Sequence, residues 1–87
     1  MNMTVLDLIK PEGHVEPFDD ISLTDLLWLH TVIDDGVEHL RTHITGNGAR
    51  VIVFSADADA ENSRRSAEAL CRRAISAAPQ LRGWRLG

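Results

Sequence analysis

The sequence predicts a small α/β domain, with α+β as the alternative arrangement. In this reading two amphipathic helices, about 22–45 and 60–78, cover a short sheet centred on residues 50–55. Three observations carry it. Bulky apolar residues run unbroken from Val51 to Phe54, which suits a buried strand. On either side, apolar positions recur at helical spacing. Chain length completes the case: 87 residues with 44% hydrophobic and 25% charged content suit one domain, 1–87, with a single core.

Taken in order, Thr4–Ile9 is β-branched and aliphatic, which favours an edge strand. Thr4 with Asp7 also resembles a capping box for one helical turn, and the strand is the preferred reading. Pro11 stops either element near Ile9. Residues 10–20 hold two prolines and a glycine and read as an irregular acidic loop, with Val15 and Phe18 as its contacts to the core.

The first helix is expected to begin at an N-cap, Ser22, completed by Asp25, with Ile21 and Leu26 as a hydrophobic staple. At about 100° per residue, Leu26, Leu29, Ile33, Val37, Leu40 and Ile44 form one stripe. Gly46 would close the helix as a left-handed C′ residue. Gly36 inside it costs about 1 kcal/mol relative to alanine. Asp57 or Asp59 is expected to cap the second helix, whose apolar face is Ala67, Leu70, Cys71, Ala74, Ile75 and Ala78. Pro79 ends it, and the alternating tail 81–86 suits a short last strand. Helices between strands favour right-handed crossovers and a parallel or mixed sheet. With both helices on one face, the other sheet face needs a cover, and homodimerisation is expected.

Charge is unevenly divided. Residues 1–49 carry nine acids against Lys10 and Arg41, a net of −7, whereas residues 50–87 carry seven arginines against four acids, a net of +3. The acidic half would steer the chain towards a basic partner surface. The preference for arginine over lysine is a compositional hint of a GC-rich bacterial or phage genome. No basic segment followed by a long apolar run opens the chain, so a cytoplasmic location is expected. One cysteine, Cys71, forms no internal disulfide and reads as a small buried hydrophobe.

Catalytic and cofactor signatures are lacking. On a continuous first helix, Asp35, His39 and His43 would share one side at i, i+4 and i+8, the weak candidates for a metal. The glutamate of a zinc-protease motif is missing, and no fourth ligand presents itself. Asp57 and Asp59 read as helix caps rather than magnesium ligands. Arg65, Arg72 and Arg73 outline a possible basic face, but an isoelectric point near 5.4 makes nucleic acid an unfavoured partner. Trp28 falls far from the apolar stripe, on the same side as Val32, His39 and His43. Tryptophan is enriched at interface hot spots.

The expected function is therefore a small non-catalytic protein-binding regulator or inhibitor, with no cofactor and no membrane attachment. Trp28, Val32, Asp35, His39 and His43 are the expected partner-binding residues. The alternative is a homo-oligomer subunit holding a small ligand or metal at its interface.

Overall fold

In the computed structural model, which describes residues 1–13 and 19–87, period-two alternation shapes the first strand. β1 (Asn2–Ile9) turns Thr4, Leu6 and Leu8 into the core and leaves Met3, Val5 and Asp7 outside, as an extended chain must. Val15 and Phe18, the expected contacts of the acidic loop, lie outside the described residues.

The first helix, α1 (Asp20–Leu29), is shorter than the sequence spacing suggests. Its N-cap is Asp19, not Ser22: the Asp19 carboxylate accepts the Ser22 N–H at 2.7 Å. Hydrogen bonds from Ser22 hold that carboxyl below its ordinary value. After α1 the chain makes a 3-10 turn at Ile33–Asp35, and Gly36 adopts a left-handed conformation (φ 65°) that L residues disfavour.

Beyond Gly36 the structure corrects the sequence reading. Residues 37–45 are not helical but form β2 (Val37–Thr45), which hairpins through Gly46–Asn47 into β3 (Gly48–Ser55). The two patterns share residues. Leu40 and Ile44 are four apart, a spacing that fits both a helical face and one face of a strand. Thr42 decides for the strand, because it is buried beside Leu40, on the parity a strand requires. β-branched Val37, Thr42, Ile44 and Thr45 favour the sheet. A two-residue Gly-Asn loop between two such runs is a hairpin signal, and here it outweighs the C-cap reading of Gly46.

α2 (Ala60–Ala77) is capped by Asp59, whose carboxylate accepts the Glu61 N–H at 2.9 Å. Ser63, Ala67, Leu70, Cys71 and Ala74 form its buried stripe. The expected tail strand shrinks to β4 (Arg85–Leu86), preceded by a 3-10 turn at Pro79–Leu81.

The sheet order is β2-β3-β1-β4, and every neighbouring pair is antiparallel. The parallel or mixed sheet expected from the crossovers is thus corrected. Each crossover skips one position, and a returning strand fills the gap with opposite direction. This is the double split-βαβ arrangement of ferredoxin-like sandwiches. The core joins Leu6 and Leu8 of β1, Leu40 of β2, Val51 and Val53 of β3, and Leu23, Leu27, Leu70 and Ala74 of the helices. Among the described residues no helix covers the opposite sheet face.

Two contacts fix the frame. Asp35 is only 6% exposed; its Oδ2 accepts the Val32 N–H at 2.9 Å and an Arg73 guanidinium N–H at 2.6 Å. Arg73 Nε donates to the His30 carbonyl at 2.8 Å. One arginine of α2 therefore holds both ends of the α1–β2 connection. At the other end of the sheet, β1 passes so close to Gly48 that any Cβ there would collide with the Leu8 carbonyl.

Arg73→Ala strands a buried carboxylate and frees the His30 carbonyl. The expected loss is about 2–3 kcal/mol, a fall of about 10–20 °C in Tm for a chain of this size. Arg65→Ala, which breaks only an exposed pair with Glu61, is expected to shift stability by less than about 0.5 kcal/mol. Thermal unfolding of the two variants checks the contrast. Gly48→Ala forces β1 and β3 apart and is expected to cost about 3 kcal/mol or more, as for other overpacked sites of this severity; urea unfolding monitored by circular dichroism reads that loss.

Candidate protein-binding surface

α1 is apolar around most of its circumference, although only one side meets the core. Leu23 and Leu27 are fully buried and Leu26 packs partly against the core. Ile21, Trp28 and Leu29 face outward, with Leu29 79% exposed. A helix that is hydrophobic all round is normally buried all round. The exposure continues past the helix end: Val32 is half exposed and Ile33 is 97% exposed.

These residues form a ridge on a rigid base. Thr31 Oγ1 donates to the Trp28 carbonyl at 2.8 Å, and His30 Nδ1 lies 2.9 Å from the Leu26 carbonyl. Arg73 and Asp35 hold the next turn from beneath. The ridge is thus prevented from folding Leu29, Val32 and Ile33 back onto the core. Asp25, one helical turn before Trp28 and Leu29, and Asp34, next to Ile33, are exposed, so the apolar centre has an acidic rim.

At its N-terminus α1 is latched to the sheet edge. The Asp20 carbonyl accepts hydrogen bonds from Thr42 Oγ1 at 2.7 Å and Thr24 Oγ1 at 2.8 Å, and its carboxylate accepts the Ile44 N–H at 2.8 Å. α1 therefore runs antiparallel to β2. Between them lies an open groove of about 280 Å³, lined by Asp20, Ile21, Thr24, Asp25, Leu40 and Arg41 with Thr42 and His43.

The expected binding residues separate in space. Trp28, 37% exposed, and Val32 belong to the ridge. Asp35 is buried in the frame. His39 and His43 stand on the helix-free sheet face, because β2 puts them on the parity opposite to Leu40 and Thr42. His39 stacks on Phe54 with ring centroids 5.6 Å apart. His43 Nδ1 approaches the Asp20 carboxylate at 4.0 Å, both groups being exposed. The weak metal candidates, Asp35, His39 and His43, depended on a continuous helix; with that helix broken they do not converge. Among the described residues no three histidine, cysteine or carboxylate side chains are placed to share an ion. The possible basic face also disperses: Arg65 pairs with Glu61 at 3.6 Å, Arg73 is turned inward, and Arg72 is exposed.

Sequence reasoning missed Ile21, Leu29 and Ile33, which it assigned to a staple and a core stripe. Their signal was available in the composition of α1, where six of ten residues from Asp20 to Leu29 are apolar. The helix-free sheet face was expected but not its residues: Met3 and Val5 of β1 beside Phe54 and Ile52 of β3, flanked by Arg41, Arg50 and Arg85.

Comparison with protein-family models, curated proteins and solved structures finds no match to this chain. Among the described residues no helix is long and apolar enough to cross a membrane.

Cys71 is fully buried in α2, and burial pushes its thiol up to about 12. A thiol so held is a poor nucleophile. Thiol-reactive dye at pH 8 is expected to label the native protein at least about 100-fold more slowly than the urea-unfolded chain. Because the folded pKa lies above the ordinary 9.0, the unfolded chain releases this proton first. The Cys71 contribution is therefore intact below pH 9 and is lost as pH rises towards 12. A Cys71→Ala comparison across that window isolates the slope.

Proposed function

We propose that this chain is a small non-catalytic protein-binding module, acting as a regulator or inhibitor by covering part of a partner's surface. The observation that carries the reading is the ridge of Trp28, Leu29, Val32 and Ile33, held outward by the Arg73–Asp35 frame. Exposing such residues costs about 25 cal/mol for each Å² of apolar surface left in water. Pre-organisation removes part of the ordering cost of association. Apolar centres with polar rims are the ordinary build of interfaces, and the acidic rim favours a partner whose own rim is basic. A cytoplasmic setting fits the single unpaired cysteine.

The helix-free sheet face favours a second role, self-association. Met3, 62% exposed, and Val5 stand beside Phe54 and Ile52 on that face. Two such faces stacked about a two-fold axis would cover each other. A dimer of this kind leaves the ridge free.

Capture from native extract, with Leu29→Asp and Ile33→Asp as matched controls, tests the first role. Both positions are exposed, so fold and Tm are expected to hold. A stoichiometric partner retained by the wild type and weakened about 30-fold or more by either change supports the ridge. Undiminished capture by both variants removes it. Light scattering of Val5→Glu reads the second role separately, with loss of a dimer expected.

A further inference from the structure

We propose that the outer edge of β2 accepts an extended peptide as a fifth strand, and that this peptide alternates carboxylate side chains on one face with apolar side chains on the other. The inference rests on the protein-binding reading and gives it a mode of recognition.

Among the described residues the edge is open at Leu40 and Thr42 and closed at Ile44, whose N–H is held by the Asp20 carboxylate. The Ile44 N–H points away from β3 to reach Asp20. By the two-residue repeat of a strand, Leu40 and Thr42 direct their backbone N–H and C=O groups the same way. Among the described residues no backbone group pairs with them there. Proteins usually blunt such edges by keeping them short or by interrupting them. β4 follows that pattern with two residues, whereas β2 spans nine and carries one bulge, between Val37 and His39.

The two sides of this edge differ in chemistry, and that difference sets the sequence of the peptide. On the helix side a docked strand would drop every second side chain into the groove between α1 and β2. Ile21, Thr24 and Leu40 line it together with Asp20 and Asp25, and its lining is mainly apolar, so apolar groups fit. On the other side the alternate side chains would lie beside His39, Arg41 and His43, where carboxylates fit. Strand addition draws affinity from the backbone and specificity from such alternate contacts.

Arg41 disfavours a second copy as the occupant. Two β2 edges paired antiparallel about a two-fold axis keep their faces aligned. The register centred on Arg41 then sets Arg41 against itself. Cross-strand like charges destabilise a pair, so β2 favours an acidic strand over its own image.

Fluorescence anisotropy with a labelled Glu-Val octapeptide, four repeats long, tests the proposal on the intact protein. Saturable binding is expected. Lys-Val repeats should bind about tenfold more weakly, and Arg41→Glu should reverse that preference. Two further peptides carry N-methyl groups on alternate amides, one set each. Methylation of one set should abolish binding, because only that set faces β2. No saturable binding, or equal binding by both methylated peptides, overturns strand addition. Partner capture sensitive to Leu29→Asp but without peptide binding leaves the protein-binding reading standing and removes this mode alone. Peptide binding without any captured partner leaves strand addition standing and removes the ridge as the contact surface.

Discussion

The buried contact between Asp35 and Arg73 holds together the parts of this molecule that propensity alone would separate. The connection from α1 to β2 must reverse direction over a few residues, and it does so with a carboxylate turned into the protein. An unpaired carboxylate there would be strongly unfavourable. Arg73, reaching from α2, neutralises it and also donates to the His30 carbonyl. The cation belongs to the second helix and the anion to the crossover of the first, so the contact joins the two βαβ halves across the helical layer. Its geometry decides where α1 stops, where β2 starts and which residues between them face water.

That constraint explains the exposed apolar ridge better than helix composition does. A helix as apolar as α1 would lower its free energy by rolling or sinking further into the core. Here its start is latched by Asp20 to Thr42 and Ile44, and its end by Arg73. Between two fixed points only Leu23, Leu26 and Leu27 reach the core, and the remainder of the apolar surface stays outside. The protein carries that cost as a standing one, which is the usual mark of a surface kept for contact with something else.

How much was legible in the sequence depends on which patterns were ambiguous. β3 and α2 were plain, since a run such as Val51–Phe54 suits a strand and Ala67, Leu70, Cys71 and Ala74 fit only a helix. β1 was open between strand and turn, with its alternation of Thr4, Leu6 and Leu8 in favour of the strand. β2 was hidden because Leu40 and Ile44 satisfy both periods, and because Gly46 serves a helix end and a hairpin equally well. Only the long-range pairing of β2 with β3 separates the two, and local pattern carries no information about it. The candidate site suffered the same way. Trp28 and Val32 were singled out by their mismatch with a helical stripe, but its members Leu29 and Ile33 are more exposed than either, so the argument fell with the helix although both residues do reach the surface. Asp35, His39 and His43 were grouped by helical angle and therefore scattered when the backbone changed.

Charge around β2 ties its edge to the rest of the surface. The part of this edge left open, at Leu40 and Thr42, invites pairing with any extended chain, including unfolded copies of the same protein. Lys and Arg on a strand edge are a common protection against that, and here Arg41 sits between two histidines at the middle of the exposed run. On the other flank Asp20 and Asp25 stand beside the groove. A strand of uniform charge meets repulsion on one side or the other, and a wholly apolar strand leaves Arg41 without a charged partner. Only a strand whose two faces differ meets neither penalty. The same few residues that guard the edge against indiscriminate pairing thereby define which strand it would accept, and specificity needs no further element in so small a domain.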